Sequence, residues 1–231
     1  MENGMWYLDC LMTLLSASNT KIKKGEKLGW KTLGLSLSPY TISGKNLCPH
    51  ASEGCAIACL NTAGMGVFSN VQSARLAKTK FLLEKRVEFI GQLVKELKNA
   101  AKRNEKLAIR LNVLSDLPWH NLVDMASFPS VRFYDYTPNP KRMIQYLKGE
   151  LPANYHLTFS RKENNQAQCD LILSMGGNVA VVFKSVPKTW NGYEVIDGDE
   201  TDLRFLDKKG VIVGLKAKGK GKKDTSGFVV V

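Results

Sequence analysis

The sequence predicts an α/β fold, a complete or partial (β/α) barrel of the TIM-barrel kind, and three observations lead there. Short apolar stretches with strand character alternate with helical patterns along most of the chain, which implies parallel strands joined by crossovers. The 231 residues, 44% hydrophobic and 23% charged, can bury a core without disulfide staples. Six or seven strand segments, with little helix between the last of them, fit a barrel whose second half has shrunken helices. Residues 1–30 read as an N-terminal extension and residues 31–231 as one barrel domain.

Leu33 to Ser38 (LGLSLS) alternates apolar and polar residues and reads as the first core strand. Pro39 to Asn70 follows as a long irregular loop, a length that inside a compact domain usually has a function. Ser69 or Asn70 can cap a helix from Val71 to about Arg103, where Ala74, Ala77, Phe81, Val87, Ile90, Val94, Leu97 and Ala101 recur at helical spacing. Leu107 to Val113 is the next strand, then a short helix near Leu122 to Ala126 and a strand over Val131 to Tyr136. Asn139 and Pro140 have the form of an N-cap and first helical residue for Lys141 to Leu147. Tyr155 to Phe159, a helix from about Asn165 to Ser174, and Asn178 to Phe183 continue the alternation, and strands at Tyr193 to Ile196 and Val211 to Leu215 end it.

Composition narrows the function classes. No apolar run approaches the roughly 20 residues of a membrane helix, so no membrane partner is expected. Met1 to Ala17 carries Glu2 and Asp9 with no basic residue before Lys21, unlike a secretory signal, which points to the cytoplasm. The net charge of +12 is concentrated in three segments, residues 21–31, 75–103 and 208–223. Glu194 to Asp207, in contrast, holds six acids against Arg204 alone. Clustered Lys and Arg suit a nucleic acid or a nucleotide, and a solvated basic surface is the plainer reading. Lys216, Lys218, Lys220, Lys222 and Lys223, interleaved with Gly219 and Gly221, form a basic strip able to lie along phosphates. No aromatic residue interrupts it, so base stacking there is not indicated.

Cys48, Cys55 and Cys59 stand as C-x6-C-x3-C just beyond the first predicted strand, where the loops of an α/β barrel build the active face. Three thiolates can hold an iron–sulfur cluster with one iron open, or zinc with His50 as a fourth ligand, or they can be buried free thiols. Gly44, Gly54, Gly64 and Gly66 let the backbone wrap closely. Cys10 and Cys169 could add a ligand, but each lies in an apolar stretch typical of core cysteine. Polar residues recur where predicted strands end: Asn112, Ser115 and Asp116, then Asp135 and Thr137, Ser160 and Arg161, and Lys184 and Ser185. A barrel-top pocket has this form, with Asp116 suited to proton transfer and Arg161, Lys184 and Lys216 to an anionic ligand. Each alone is also an ordinary turn or cap residue. Trp119 and His120 could place rings over the same face.

The run KTLGLSLSPYTISGKNLCPHASEGCAIACLNTAG from Lys31 to Gly64, with the C-terminal GVIVGLKAKGKGKKDTSGFVV, resembles a bacteriophage family labelled gene product 88-like, over most of the chain from Lys31 onward. That resemblance implies a viral origin, and hence the host cytoplasm. The three-cysteine loop after a first strand also resembles the layout of radical S-adenosylmethionine enzymes. This second resemblance implies a [4Fe–4S] cluster on Cys48, Cys55 and Cys59, S-adenosylmethionine as a cofactor, and an enzyme acting on a nucleotide or nucleic acid. The cysteines here are spaced more widely than in those enzymes, with Ala58 before Cys59. The alternative expectation is a non-catalytic iron–sulfur or zinc protein that binds nucleic acid or a phage replication or virion partner.

Overall fold

The strand segments with the strongest period-2 patterning come together as one sheet in the computed structural model, which describes residues 12–17 and 24–231. Its strands are β1 (Leu15–Ser16), β2 (Lys31–Leu35), β3 (Leu107–Arg110), β4 (Val131–Thr137), β5 (Tyr155–Ser160), β6 (Val179–Phe183), β7 (Thr189–Trp190), β8 (Tyr193–Asp197), β9 (Ile212–Lys216) and β10 (Val229–Val230). The spatial order is β1-β2-β3-β4-β5-β6-β9-β8-β7, with β10 added against β6. Every neighbouring pair from β2 to β8 is parallel, while β1 and β7 pair antiparallel at the two edges. The fold is therefore mixed α/β, and the hydrogen-bonded path among the described residues does not close on itself.

The helices are α1 (Glu53–Ile57), α2 (Ser69–Glu84), α3 (Arg86–Arg103), α4 (Pro140–Leu147) and α5 (Gln166–Ser174). Asn139 caps α4 as expected, its Oδ1 accepting from the N–H groups of Lys141 and Arg142. Alternate strand residues such as Ile109, Phe133, Leu157 and Val181 bury one face of the sheet against Phe89, Leu93, Met143 and Ile172 of the helices. The intervening residues Ala108 and Tyr134 form a second, smaller cluster with Leu203, Trp30 and Phe205. Residues 199–207 thus cover the other face, tied there by Asp202, which accepts from Arg110 at 3.1 Å and from the Tyr134 hydroxyl at 3.0 Å.

Several local expectations change. The single long helix breaks at Lys85, where φ is −131° and ψ 55°. Phe81 and Phe89 then pack edge to face at 5.3 Å, although eight residues of straight helix would hold them about 12 Å apart. No Gly or Pro marks the corner, so packing alone makes it. The short helix near Leu122 is two 3₁₀ turns, at Trp119–Asn121 and Met125–Ser127. Three strands of two residues each, β1, β7 and β10, are too short to show a period. In β1, Leu15 is buried with its neighbour Leu14 in the main core.

β10 shapes the end of the sheet where a site would form. β9 pairs with β6 along its whole length, so β5 and β10 share the opposite side of β6. β5 pairs with Val179 and Ala180, and β10 with Val182 and Phe183. The C-terminal strand is therefore a short wedge on the C-terminal half of β6, beyond the point where β5 ends.

Candidate functional site

The cysteine loop lies across the C-terminal edge of the parallel strands. It leaves β2, and Cys48 Sγ reaches the carbonyl of Leu114 beyond β3 at 3.4 Å, while the Asp116 N–H donates to Leu47 O at 2.9 Å. Beyond β5, Lys162 Nζ donates to the His50 carbonyl at 2.8 Å. Glu163 accepts from the Ser52 hydroxyl at 2.6 Å and from the Gly54 N–H at 3.0 Å, fixing the start of α1. Burial opposes the Glu163 charge, but these two donors, its own N–H and Lys162 together more than offset it, and the pKa falls below its ordinary value. Gly54 has to be glycine: a Cβ there would collide with Ser226 Oγ and come within 2.7 Å of Phe228 Cβ.

This docking brings the three predicted cysteines together, none of them in a disulfide. Burial, with the neighbouring thiols adding to it, pushes the Cys48 thiol up to about 11 and the Cys55 thiol up to about 12. Cys59 is also raised by burial, against the Asn61 N–H and the Arg75 guanidinium, which favour its charge. The Tyr40 N–H points at Cys48 Sγ at 3.4 Å, and Lys162 favours charge on Cys55. By donor type alone, three neighbouring thiols served by N–H groups have the chemistry of iron–sulfur ligands. Among the described residues, no three His, Cys, Asp or Glu side chains are placed to hold a single metal ion, so the zinc set with His50 is not assembled. Cys169 is buried in the core at α5, its Sγ 3.5 Å from Asn165 Oδ1. Cys10 lies outside the described residues.

The strand-end residues divide into different roles. Asp116 is buried beneath the loop, its Oδ1 accepting from Arg142 Nη1 at 2.7 Å and from the Thr137 hydroxyl at 2.9 Å. Burial raises its pKa in spite of Arg142 and Thr137, and Oδ2 has no hydrogen-bond partner. Asn112 and Asp135 brace the next layer: Asn112 Oδ1 accepts from Ser115, Leu117 and Trp119, and Asp135 accepts from the Asn112 N–H and the Tyr155 hydroxyl. Trp119 is fully buried and stacks on Phe89 at 6.3 Å, so its ring belongs to the core and not to the sheet's open edge. His120 is half-buried beside Tyr155. Ser160 offers its carbonyl to Asn165.

The expected anion ligands are placed unequally. Arg161 Nη1 donates to the carbonyls of Gly227 and Phe228 at 2.6 and 3.0 Å, so its guanidinium holds the β10 wedge. Lys184 and Lys216 are exposed at the ends of β6 and β9, with their backbone N–H groups bound by Val230 O and Asp199 Oδ2. The basic strip is more ordered than its glycines suggest. Residues 219–223 form a 3₁₀ helix against the cysteine loop, and Gly219, at φ +53°, would bring a Cβ within 2.7 Å of Thr62 O. Lys218 is paired with Asp199 at 2.7 Å, so the acidic segment neutralises part of the strip.

Sequence reasoning missed Arg142, Glu163, Arg75 and Lys162. Each contacts the site from an element distant in sequence, and no local pattern distinguishes it from a surface charge.

A family model described as Gene product 88 matches residues 13–231. The chain belongs to the gene product 88 family. The match begins upstream of Lys31 and so takes in β1 as well as the two motifs that carried the resemblance. It spans the cysteine loop, the strand ends beneath it and the C-terminal wedge of this gene product 88 member. Nothing among the curated proteins or the solved structures matches the chain. Among the described residues no helix is long and apolar enough to cross a membrane.

Proposed function

We propose that this chain is a cytoplasmic iron–sulfur protein of phage origin, its cluster anchored by Cys48, Cys55 and Cys59 at the mouth of a partial (β/α) barrel. In this reading it acts as an enzyme on an anionic, nucleotide-like substrate, with S-adenosylmethionine as a candidate cofactor. The carrying observation is the meeting of three half-buried thiols, free of disulfides, on one loop over the C-terminal edge of parallel strands. The partial barrel is supported by β2 to β6 lying side by side in sequence order, as barrel strands do, with α3, α4 and α5 packed on one face.

A cluster of this kind supplies one-electron chemistry and one iron without a protein thiolate. The residues around it do the remaining work. The N–H groups of Tyr40 and Asn61 favour sulfur charge at Cys48 and Cys59, and Lys162 and Arg75 supply positive charge beside Cys55 and Cys59. Glu163 holds α1 in place, and the Asp116–Arg142 pair underlies Leu47 and Cys48. With the thiols raised by burial, loading has to displace protons, so affinity should increase with pH. A single zinc ion would draw its sulfurs to within about 3.8 Å of one another, given Zn–S bonds of about 2.3 Å, whereas a cluster seats each thiolate on its own iron. The exposed Lys216, Lys220, Lys222 and Lys223 on the same edge favour an anionic substrate.

Anaerobic reconstitution with iron and sulfide tests the reading. Cys48→Ala, Cys55→Ala and Cys59→Ala should each lose the brown chromophore, while Cys169→Ala keeps it. Full iron and sulfide in Cys55→Ala would overturn the ligand set. Electron paramagnetic resonance of the reduced protein should change on adding S-adenosylmethionine, and an unchanged spectrum removes that cofactor.

A further inference from the structure

A second polar concavity lies on the outer side of the sheet edge, at the start of α2. It is a cleft of about 260 Å³ whose polar lining comes from Ser16 of β1, Ser36 just beyond β2, and Asn70, Arg75 and Lys78 of α2. Arg75 and Lys78 are three residues apart and therefore share one helix face. Arg75 is anchored at one end only: Nη1 donates to Asn61 Oδ1, while Nε is buried with no hydrogen-bond partner. Lys78 Nζ gives one hydrogen bond, to Leu14 O at 2.8 Å, and an ammonium carries three donors. Burial pushes the pKa of both cations down. Glu96 favours the charge on Lys78, and its oxygens accept from the N–H groups of Leu14 and Leu15. Among the described residues no carboxylate lines the cleft.

The lining thus offers a guanidinium, an ammonium, the Ser36 hydroxyl and the Asn70 amide beside the positive end of a 16-residue helix. We propose that this cleft binds a phosphoryl group, either as free phosphate or as the phosphate of a monoester such as a nucleoside 5′-monophosphate. A phosphoryl group brings close to two negative charges and three strong acceptor oxygens, enough to engage both cations and the Ser36 hydroxyl together. The volume falls below the roughly 300 Å³ at which pockets begin to enclose whole drug-sized ligands, so the site takes the charged head and leaves any ester group outside. The site shares Arg75 with the cysteine loop, where the same guanidinium favours charge on Cys59, while Ser36, Asn70 and Lys78 belong to the cleft alone.

Phosphorus NMR and calorimetric titration of the full chain with inorganic phosphate, at ionic strength held constant with chloride, test it. Saturable binding is expected. Asn70→Asp is the informative variant: an aspartate keeps the acceptor that Asn70 Oδ1 gives to the Val71 N–H, and its charge suits a helix start. It should fold with an unchanged unfolding midpoint yet bind phosphate about tenfold more weakly or worse, as should Arg75→Gln, which removes a charged donor. Adenosine 5′-monophosphate binding as tightly as phosphate identifies the free anion or the bare head as the ligand, and tighter binding identifies the nucleotide. No binding beyond the chloride control, or binding that Asn70→Asp leaves unchanged, overturns the proposal.

Discussion

Asp135 sets a pH dependence of stability opposite to that of a typical paired carboxylate. It is buried on β4 and accepts from the Asn112 N–H at 2.7 Å, Asn112 Nδ2 at 3.3 Å and the Tyr155 hydroxyl at 3.0 Å. Burial nevertheless outweighs these donors and lifts its pKa from 3.8 to about 7. Below the lower value both states hold the proton. Between the two values the unfolded chain releases it while the native state keeps it, so stability falls as pH rises through that window and the loss is complete above about 7. A shift of about three units corresponds to roughly 4 kcal/mol. Asp135→Asn removes the ionisation while keeping the shape. In urea unfolding, the stability of the natural chain relative to Asp135→Asn should drop by roughly 4 kcal/mol between about pH 4 and about pH 8. A gap that is constant across this range, or that widens in favour of Asp135 at high pH, would refute the reasoning. The effect reaches the thiols, because Asn112 braces Ser115 and Leu117 on either side of Asp116, and the same loop carries the Leu114 carbonyl to Cys48.

Three further outcomes follow from single contacts. Asp116→Asn should cost about 3–5 kcal/mol in unfolding experiments, since it strands a buried guanidinium that cannot lose its proton; Arg142→Leu should cost less, because Asp116 can protonate. Gly54→Ala should destabilise by about 1–3 kcal/mol through overpacking on Phe228, and hydrogen exchange should show faster opening of residues 53–59 than of β4. If the exposed Lys216, Lys220, Lys222 and Lys223 bind duplex DNA, log affinity against log salt should have a slope of about −3 to −4, flattened by their replacement with Gln. Lys218→Gln should change it least, because that ammonium is paired with Asp199.

Hydrophobic period was enough to identify the helical run that becomes α2 and α3, and the strand-like apolar stretches overlap every strand of four residues or more, the first of them only at Leu33 to Leu35, since the period records which face of an element is buried. It also put the cysteine loop behind the first parallel strand, and from there at the C-terminal edge, because parallel strands send their following loops to the same end. The Asn139–Pro140 helix start was legible for a local reason: the cap closes on N–H groups two and three residues away. Period does not record what a face is buried against. The corner at Lys85, made by Phe81 meeting Phe89, and the core role of Trp119 depend on partners that no local pattern names. The same holds for β10, whose two residues become a strand only because β6 has an open flank beyond Ala180. Charge was read correctly in amount and segment, but its availability was decided by tertiary contacts: Arg161 is held by the C-terminal carbonyls, Lys218 by Asp199, and Arg142 by Asp116. An isolated cation in the sequence has the same free energy of hydration wherever it falls, and only long-range packing determines which ones exchange that hydration for a protein partner.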